Sequence, residues 1–486
     1  MQSKNPRVKA TLRIALAGVL AMGCLSACGI LRKPDMNRTA EIARLRKPRH
    51  PLIIIPGFLA SKLRDPAPGK VLWGTMGNVL SHPQSYRLAF PLDAEESDPA
   101  RRELEPYAIY DSLWGVEYYR KILRTLQQAG GYRLGDISDP RPGDNAFVFV
   151  YDWRKDIVDS AIRFSRAVDH LKAALGDPDL RFDLVAHSQG GLLARYYAKY
   201  GAVDVLSGPM PAAPTGAGAR NLNKVILLGT PNQGTLEALR ILDQGVKKVF
   251  RPMPPAVTFT MPSLYEMLPP EGISSFAGLD GDPISLDLYD PQTWVDNRLS
   301  VFADGGLDLL REVMRSAGGR QESGGPSHDQ ALEFLRRSLD RARKFQAALA
   351  TPAPAGKEVI FHAVGSDCIP TLKTAVVMEE KGRRRIYFSP SGHRRESVEN
   401  KMAKVLYGPG DGTVLMESLL NLPENPAAAF SGGSEGDSLA SAFFICESHG
   451  VLLNDPFFQN NLFYLLLYDT NSVARRTSPA KPTVGF

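Results

Sequence analysis

An α/β fold, a mostly parallel sheet flanked by helices, is what this chain predicts, on three observations. Short apolar runs recur along it, helical patterns follow several of them, and a glycine-flanked serine turn joins one run to one helix. The runs are 52–55, 146–150, 182–185, 224–228, 358–364 and 442–446, each continuous enough for a strand covered on both faces. Val158, Ala161, Ile162, Val168, Leu171 and Leu175 recur at helical spacing before the third run. Leu192, Leu193, Tyr196 and Tyr197 do so just after it. Strand then helix, repeated, implies right-handed crossovers. With 486 residues, 43% of them hydrophobic, the chain suits one core with insertions rather than extended disorder.

The leader comes first. Lys4, Arg7, Lys9 and Arg13 precede an apolar stretch, 14–27, too short to span a bilayer comfortably and shaped like a secretory signal peptide. It ends Leu25-Ser26-Ala27-Cys28, which resembles the lipobox of bacterial lipoproteins. Cys28 is thus the candidate lipidation site, with Cys24 a weaker cut point and an ordinary signal peptide the plainer reading. Residues 1–27 are the expected lipoprotein signal peptide and 28–50 a basic tether. The leader carries +4 and the tether +5, which leaves the body near −3 of the formal +6. The body therefore does not read as a nucleic-acid binder. A basic tether beside a lipid anchor suits an anionic membrane surface, and a solvated linker fits the same residues. Gly29 stands where an Asp would signal inner-membrane retention, which points to the outer membrane of a bacterial cell envelope.

The core divides in two. Residues 51–234 form its N-terminal part, with 64–105 loop-rich. Residues 235–355 read as a cap or lid insertion, because Pro252-Met253-Pro254-Pro255, Pro269-Pro270 and a polar patch near 318–327 interrupt it before a charged helix at 330–349. Residues 356–473 return to the core, with a flexible loop at 432–438, and 474–486 read as a flexible tail. No internal repeat is present. Cys368 and Cys446 remain after processing, and either a disulfide or two buried thiols fits them. No Cys/His spacing suggests a metal site, and no cofactor is expected.

Phe182-Asp183-Leu184-Val185-Ala186-His187-Ser188-Gln189-Gly190-Gly191 reads as strand, tight turn and helix start, a nucleophile elbow. That makes Ser188 the candidate nucleophile and the fold class an α/β-hydrolase fold with a cap or lid insertion. A serine hydroxyl needs a base, and in this fold the order is Ser, acid, His. His328 falls in the insertion, His362 inside a buried run and His393 in a basic loop. His449 directly follows the last run, where the base belongs. For the acid, both Asp411, in Gly410-Asp411-Gly412, and Asp367, at a strand end, suit a carboxylate that orients an imidazole. The oxyanion donors should be the backbone N–H groups of Gln189, after the serine, and Phe58, in the loop after the first run.

Together these segments resemble the lecithin:cholesterol acyltransferase family. The carriers are His50 to Phe58, Ser61-Lys62-Leu63, Tyr151-Asp152-Trp153-Arg154, Ala186 to Gly191, Leu228 to Gly234, Pro262 to Pro269 and Gly408 to Val414. The resemblance implies Asp411 as the acid. Ala186 and Gln189 depart from that family's usual Gly and Leu or Met, and its disulfide near the lid has no counterpart here. Tyr151 to Arg154 reads as a structural corner more readily than as a surface for acyl chains. The expected function is a lipid acyl hydrolase or O-acyltransferase working on (phospho)lipid esters through an acyl-enzyme. A lipase or esterase of neutral esters, and an envelope-anchored binding lipoprotein, are the alternatives. The expected partners are a lipid substrate and a membrane surface.

Overall fold

The computed structural model describes residues 33–46, 50–66, 69–75, 85–92, 103–113, 116–246, 252–317, 325–354, 356, 359–380, 382–391, 396–420 and 438–467. The 1–27 leader, Cys28, His393, the 474–486 tail and most of 432–438 lie outside them.

All six apolar runs are strands of one parallel sheet. In chain order they are β1 (Leu52–Ile55), β2 (Ala146–Val148), β3 (Phe182–His187), β4 (Leu222–Leu228), β5 (Ile360–Gly365) and β6 (Ser438–Phe444). Their order across the sheet is β6-β5-β4-β3-β1-β2, every pair parallel. β1 and β3 are buried throughout, as continuous apolar runs demand of central strands covered on both faces. Successive side chains point to opposite faces, so Ile53, Leu184 and Leu227 join one apolar cluster while Ile54, Val185 and Ile226 join another.

Eight helices matter for the site: α1 (Met36–Leu45), α2 (Arg120–Ala129), α3 (Ile157–Ala174), α4 (Gln189–Tyr200), α5 (Leu236–Gln244), α6 (Gly306–Ala317), α7 (His328–Ala350) and α8 (Pro456–Leu467). The buried faces of α3 and α4 belong to the first cluster, those of α2 and α8 to the second. Asp156 caps α3 by accepting from the Val158 N–H. None of the described helices is long and apolar enough to cross a membrane.

Three features differ from expectation. Part of the 28–50 segment is helical: Asp35 caps α1, Ala43 is buried, and the helix packs on α2 and α8. The cations of the 28–50 segment, Arg38 among them in α1, mask a small apolar face: Met36 and Ala40 pack against the second cluster and Ala43 is buried. The region read as loop-rich, 64–105, contains one short strand, Val71–Trp73, which joins the flanking strands Ser61–Arg64 and Glu105–Ile109 in a three-stranded antiparallel sheet. The insertion, finally, is fused to the flank of the core. Phe259, Tyr265, Trp294 and Phe345 share the apolar cluster of the strands. A capping box of Ser327 and Gln330 starts α7. Its last carbonyls accept from α4: Leu349 from Arg195 and Lys199, and Ala348 from the Tyr200 hydroxyl. Buried cations at a helix C-terminus meet its partial negative charge and its unpaired carbonyls together.

Candidate active site

Ser188 stands between β3 and α4 with φ 56° and ψ −125°, a conformation costly for a non-glycine residue. The surroundings hold it there. Its N–H donates to the Leu228 carbonyl at 2.8 Å, and its carbonyl accepts from Gly191 at 2.9 Å. Glycine is required on the helix side. A Cβ at Gly190 would come within 2.5 Å of the Pro56 carbonyl, and one at Gly191 would strike the Thr230 side chain. Ala186, in place of glycine, is buried in a regular strand and needs no special φ. As the residue before α4, Ser188 does not cap the helix, because its side chain is engaged elsewhere. The first N–H groups of α4 thus stay available for negative charge in front of them.

The Ser188 hydroxyl lies 2.9 Å from His449 Nε2, and His449 Nδ1 lies 2.7 Å from Asp411 Oδ2. The structure therefore brings together all three residues expected from the motifs, drawn from the ends of β3, β6 and the Tyr407–Gly410 strand. Asp367 ends exposed instead. His362 is buried inside β5 against the Ser441 hydroxyl at 2.8 Å, and His328 opens α7. Asp411 is buried, and burial alone would raise its pKa. His449 and the N–H groups of Val414 and Thr413, which donate to Oδ1 at 2.7 and 2.9 Å, outweigh that and hold it below the usual carboxylate value. A carboxylate kept ionised fixes Nδ1–H on the imidazole, so Nε2 is free to accept the serine proton.

The loop after β1 closes the site. Gly57 packs so tightly on the elbow that a Cβ there would sit 2.8 Å from the Ser188 Cβ. The next residues are Phe58 and Leu59, and Leu59 has φ 64°, a second strained non-glycine residue beside the serine. Tyr151 to Arg154 brackets this loop and the elbow together. The Tyr151 hydroxyl donates to the Pro56 carbonyl at 2.9 Å, and Trp153 Nε1 to the Ser61 carbonyl at 3.0 Å. The Phe58 ring meets Trp153 edge-on at 5.0 Å, while the Gln189 amide donates to the Trp153 carbonyl at 3.1 Å. One residue thus braces both expected oxyanion donors. Trp153 is fully buried, with Asp152 and Arg154 paired at 2.6 Å, which is the structural corner and leaves no surface for an acyl chain.

Sequence reasoning missed other participants. Gly229, φ 52°, leaves room for the pair: a Cβ there would lie 2.9 Å from Asp411 Oδ2 and 3.0 Å from His449 Nδ1. Tyr119 and His187 are hydrogen-bonded at 2.6 Å beneath the serine. Burial pushes the His187 pKa down to about 3, helped by the nearby His449. Of the two readings the sequence left open for Cys368 and Cys446, the structure has the disulfide, Cα atoms 5.6 Å apart, between the loop after β5 and the strand end leading to His449. Among the described residues no cluster of His, Cys, Asp or Glu could hold a metal ion.

The fold is similar to a chain in the crystal structure of the Tle4–Tli4 complex, at 15% identity and a TM-score of 0.50, over 85% of this chain and 97% of that one. Looser likenesses include lipase BlEst2 of Bacillus licheniformis in mature form, at 10% identity and TM-score 0.33 over 87% and 94%. Lipase 1 of Pelosinus fermentans gives 13% and 0.34 over 87% and 100%. No family model and no curated protein matches the chain. At 15% identity the likeness is one of fold alone, a parallel six-stranded sheet flanked by helices, as the sequence predicts.

Proposed function

We propose that this chain is a serine-dependent acyl hydrolase or O-acyltransferase of lipid esters, phospholipids among them. The observation that carries the reading is the hydrogen-bonded series Ser188–His449–Asp411, at 2.9 and 2.7 Å, on a strained elbow. Ser188 Oγ attacks the ester carbonyl while His449 Nε2 takes its proton. The backbone N–H groups of Phe58 and Gln189 hold the oxyanion, and loss of one such donor costs about 100- to 1000-fold in rate. The carbonyl–alkoxy bond then breaks, His449 returns the proton to the leaving alcohol, and an acyl-Ser188 remains. Water, or a lipid hydroxyl, gives its proton to His449 and takes the acyl group, which restores Ser188. Asp411 keeps the imidazole in the right tautomer and stabilises its charged form.

The lipid substrate is supported by the motif resemblance to the lecithin:cholesterol acyltransferase family and by the lipoprotein-like leader, which would anchor the chain at Cys28 in the bacterial envelope. Fluorophosphonate labelling tests the chemistry. Wild type should label and Ser188→Ala should not. A folded wild type that stays unlabelled overturns the reading and favours a binding lipoprotein. Phospholipid and neutral-ester substrates, each with and without a sterol or diacylglycerol acceptor, then separate hydrolysis from transfer by product.

A further inference from the structure

Beneath Ser188 runs a chain of hydrogen bonds that the mechanism above does not use. The Gly57 N–H donates to the Tyr119 hydroxyl at 3.1 Å. That hydroxyl is 2.6 Å from His187 Nδ1, and His187 Nε2 is 3.1 Å from the His449 carbonyl oxygen. The direction of every bond follows from its ends. A carbonyl oxygen only accepts, so Nε2 carries the hydrogen. The buried, neutral imidazole then has a lone pair on Nδ1, which must accept from Tyr119. The hydroxyl's oxygen is left to accept from Gly57. Polarity thus runs one way, from Gly57 to Tyr119 to His187 to His449, and Tyr119 and His187 are both buried.

Its two ends are the two moving parts of the proposed chemistry. Gly57 immediately precedes Phe58, the proposed oxyanion donor. At the other end His449 is the proposed base, and the chain takes its backbone carbonyl while the Asp411 carbonyl takes its backbone N–H at 2.9 Å. Both backbone groups of the base are therefore held. The loop after β1 and the loop after β6 lie at opposite sides of β3 in the sheet order, and this chain of bonds joins them beneath the serine.

We infer that Tyr119 and His187 are positioning residues that set the oxyanion donor and the base at a fixed distance across Ser188. The inference rests on the proposed serine chemistry. Aligned reacting groups are worth large factors in rate, and a displacement of about 1 Å costs on the order of 100-fold. Tyr119→Phe keeps the ring and removes the hydroxyl, and His187→Asn keeps a partner for Tyr119 near Nδ1 while losing the bond to His449.

Each variant should lower kcat about 10- to 100-fold on a soluble ester and move KM less than threefold, because neither residue reaches substrate. Because both break one chain, Tyr119→Phe with His187→Asn should cost little more than the worse single variant. A merely structural pair would instead lower the melting temperature and leave kcat per labelled site unchanged. Single variants with wild-type kcat, or costs that multiply in the double variant, overturn the inference. Fluorophosphonate labelling in the same samples keeps the two readings apart. Labelling of wild type with unaltered variant kinetics removes the positioning role alone, whereas an unlabelled wild type removes the serine chemistry beneath it.

Discussion

The site has two halves built in opposite ways. The serine half sits on β3, in the middle of the sheet, with β1 and β4 on either side and every residue of α4 buried behind it. The acid–base half hangs at the edge. β6 is the last strand of the sheet, Leu439 within it is 40% exposed, and His449 follows three residues after an exposed cysteine. Packing holds the first half, as it holds any fully buried segment. Directed bonds hold the second: the disulfide, the Asp411 turn and the His449 backbone contacts. Strain can be stored only where the surroundings over-determine the backbone, so both strained non-glycine residues of the site, Leu59 and Ser188, belong to the packed half.

The sharpest way to break the contrast is to remove one directed bond at the edge and one close contact at the junction. Asp411→Asn leaves the turn in place, since the side-chain oxygen still accepts from Val414 and Thr413, but it puts the imidazole in the wrong tautomer. In the proposed chemistry kcat should fall on the order of 10,000-fold with a folded protein, as the loss of a triad carboxylate does. A fall under tenfold would show that Asp411 does not orient His449. Gly229→Ala comes next. Its φ of 52° and the 2.9 and 3.0 Å approaches to Asp411 and His449 mean the new methyl must push the pair outward. The expected loss is about 10- to 100-fold in kcat, read beside a circular dichroism melt that shifts by only a few degrees.

Much of this was legible beforehand because it depends on local pattern. Each central strand is a continuous apolar run, Asp411 and His449 adjoin glycine, and Ser188 stands two residues before Gly190, all near the end of a strand, where an α/β sheet gathers its chemistry. What stayed hidden depends on distance. Tyr119 lies 68 residues before His187, in a run of tyrosines that says nothing about which one turns inward. Cys368 and Cys446 are 78 residues apart, and no spacing decides whether such a pair is bonded. The α1 face was masked by its cations, and the antiparallel strands between 61 and 109 are too short and broken to show an alternation. Gly229 looked like any glycine after a strand, because its need is set by two side chains from elsewhere in the chain.

The disulfide offers a gentler perturbation of the edge. Both sulfurs belong to exposed residues, so a dithiol can reach them, two protons and two electrons passing to the protein as the reagent closes its own disulfide. Reduction, or Cys368→Ser with Cys446→Ser, should free the strand end before His449. The melting temperature should fall, in line with about 2–4 kcal/mol for a bridge of this kind, and kcat should drop about three- to tenfold with KM little changed. Equal kcat in the oxidised and reduced protein would mean that the Asp411 turn and the bonds to the His449 backbone fix the base without the bridge.

Acid separates the halves by pH rather than by mutation. His187 in the serine half has its pKa lowered to about 3 by burial first and His449 second, against about 6.5 in an unfolded chain. A depressed folded value means that the stability this residue contributes is fully present above about pH 6.5 and drains away as pH falls toward about 3, because only the unfolded state takes up the proton. His362 in β5, lowered to about 4 by burial and then by Lys224, adds to the same slope. Asp411 acts later. Its folded pKa lies below the ordinary value of about 3.9, so its contribution survives until pH drops under that value. His187 should therefore lose its contribution to the packed half before Asp411 loses its own in the bonded half. Asp183 in β3, raised to about 6 by burial, and Glu266, raised by burial and then by Asp156, act in the opposite sense, because a carboxyl raised on folding favours the folded state as pH falls. The readout is therefore a difference of slopes in denaturant unfolding. Between pH 6.5 and pH 4 the stability of His187→Asn should decline less with falling pH than that of wild type, by up to one proton, about 1.4 kcal/mol per pH unit, while Asp411→Asn keeps the wild-type slope in this window. Equal slopes in wild type and His187→Asn would mean that His187 charges in the folded protein, and with it the one-way polarity of the bonds beneath Ser188 would fail.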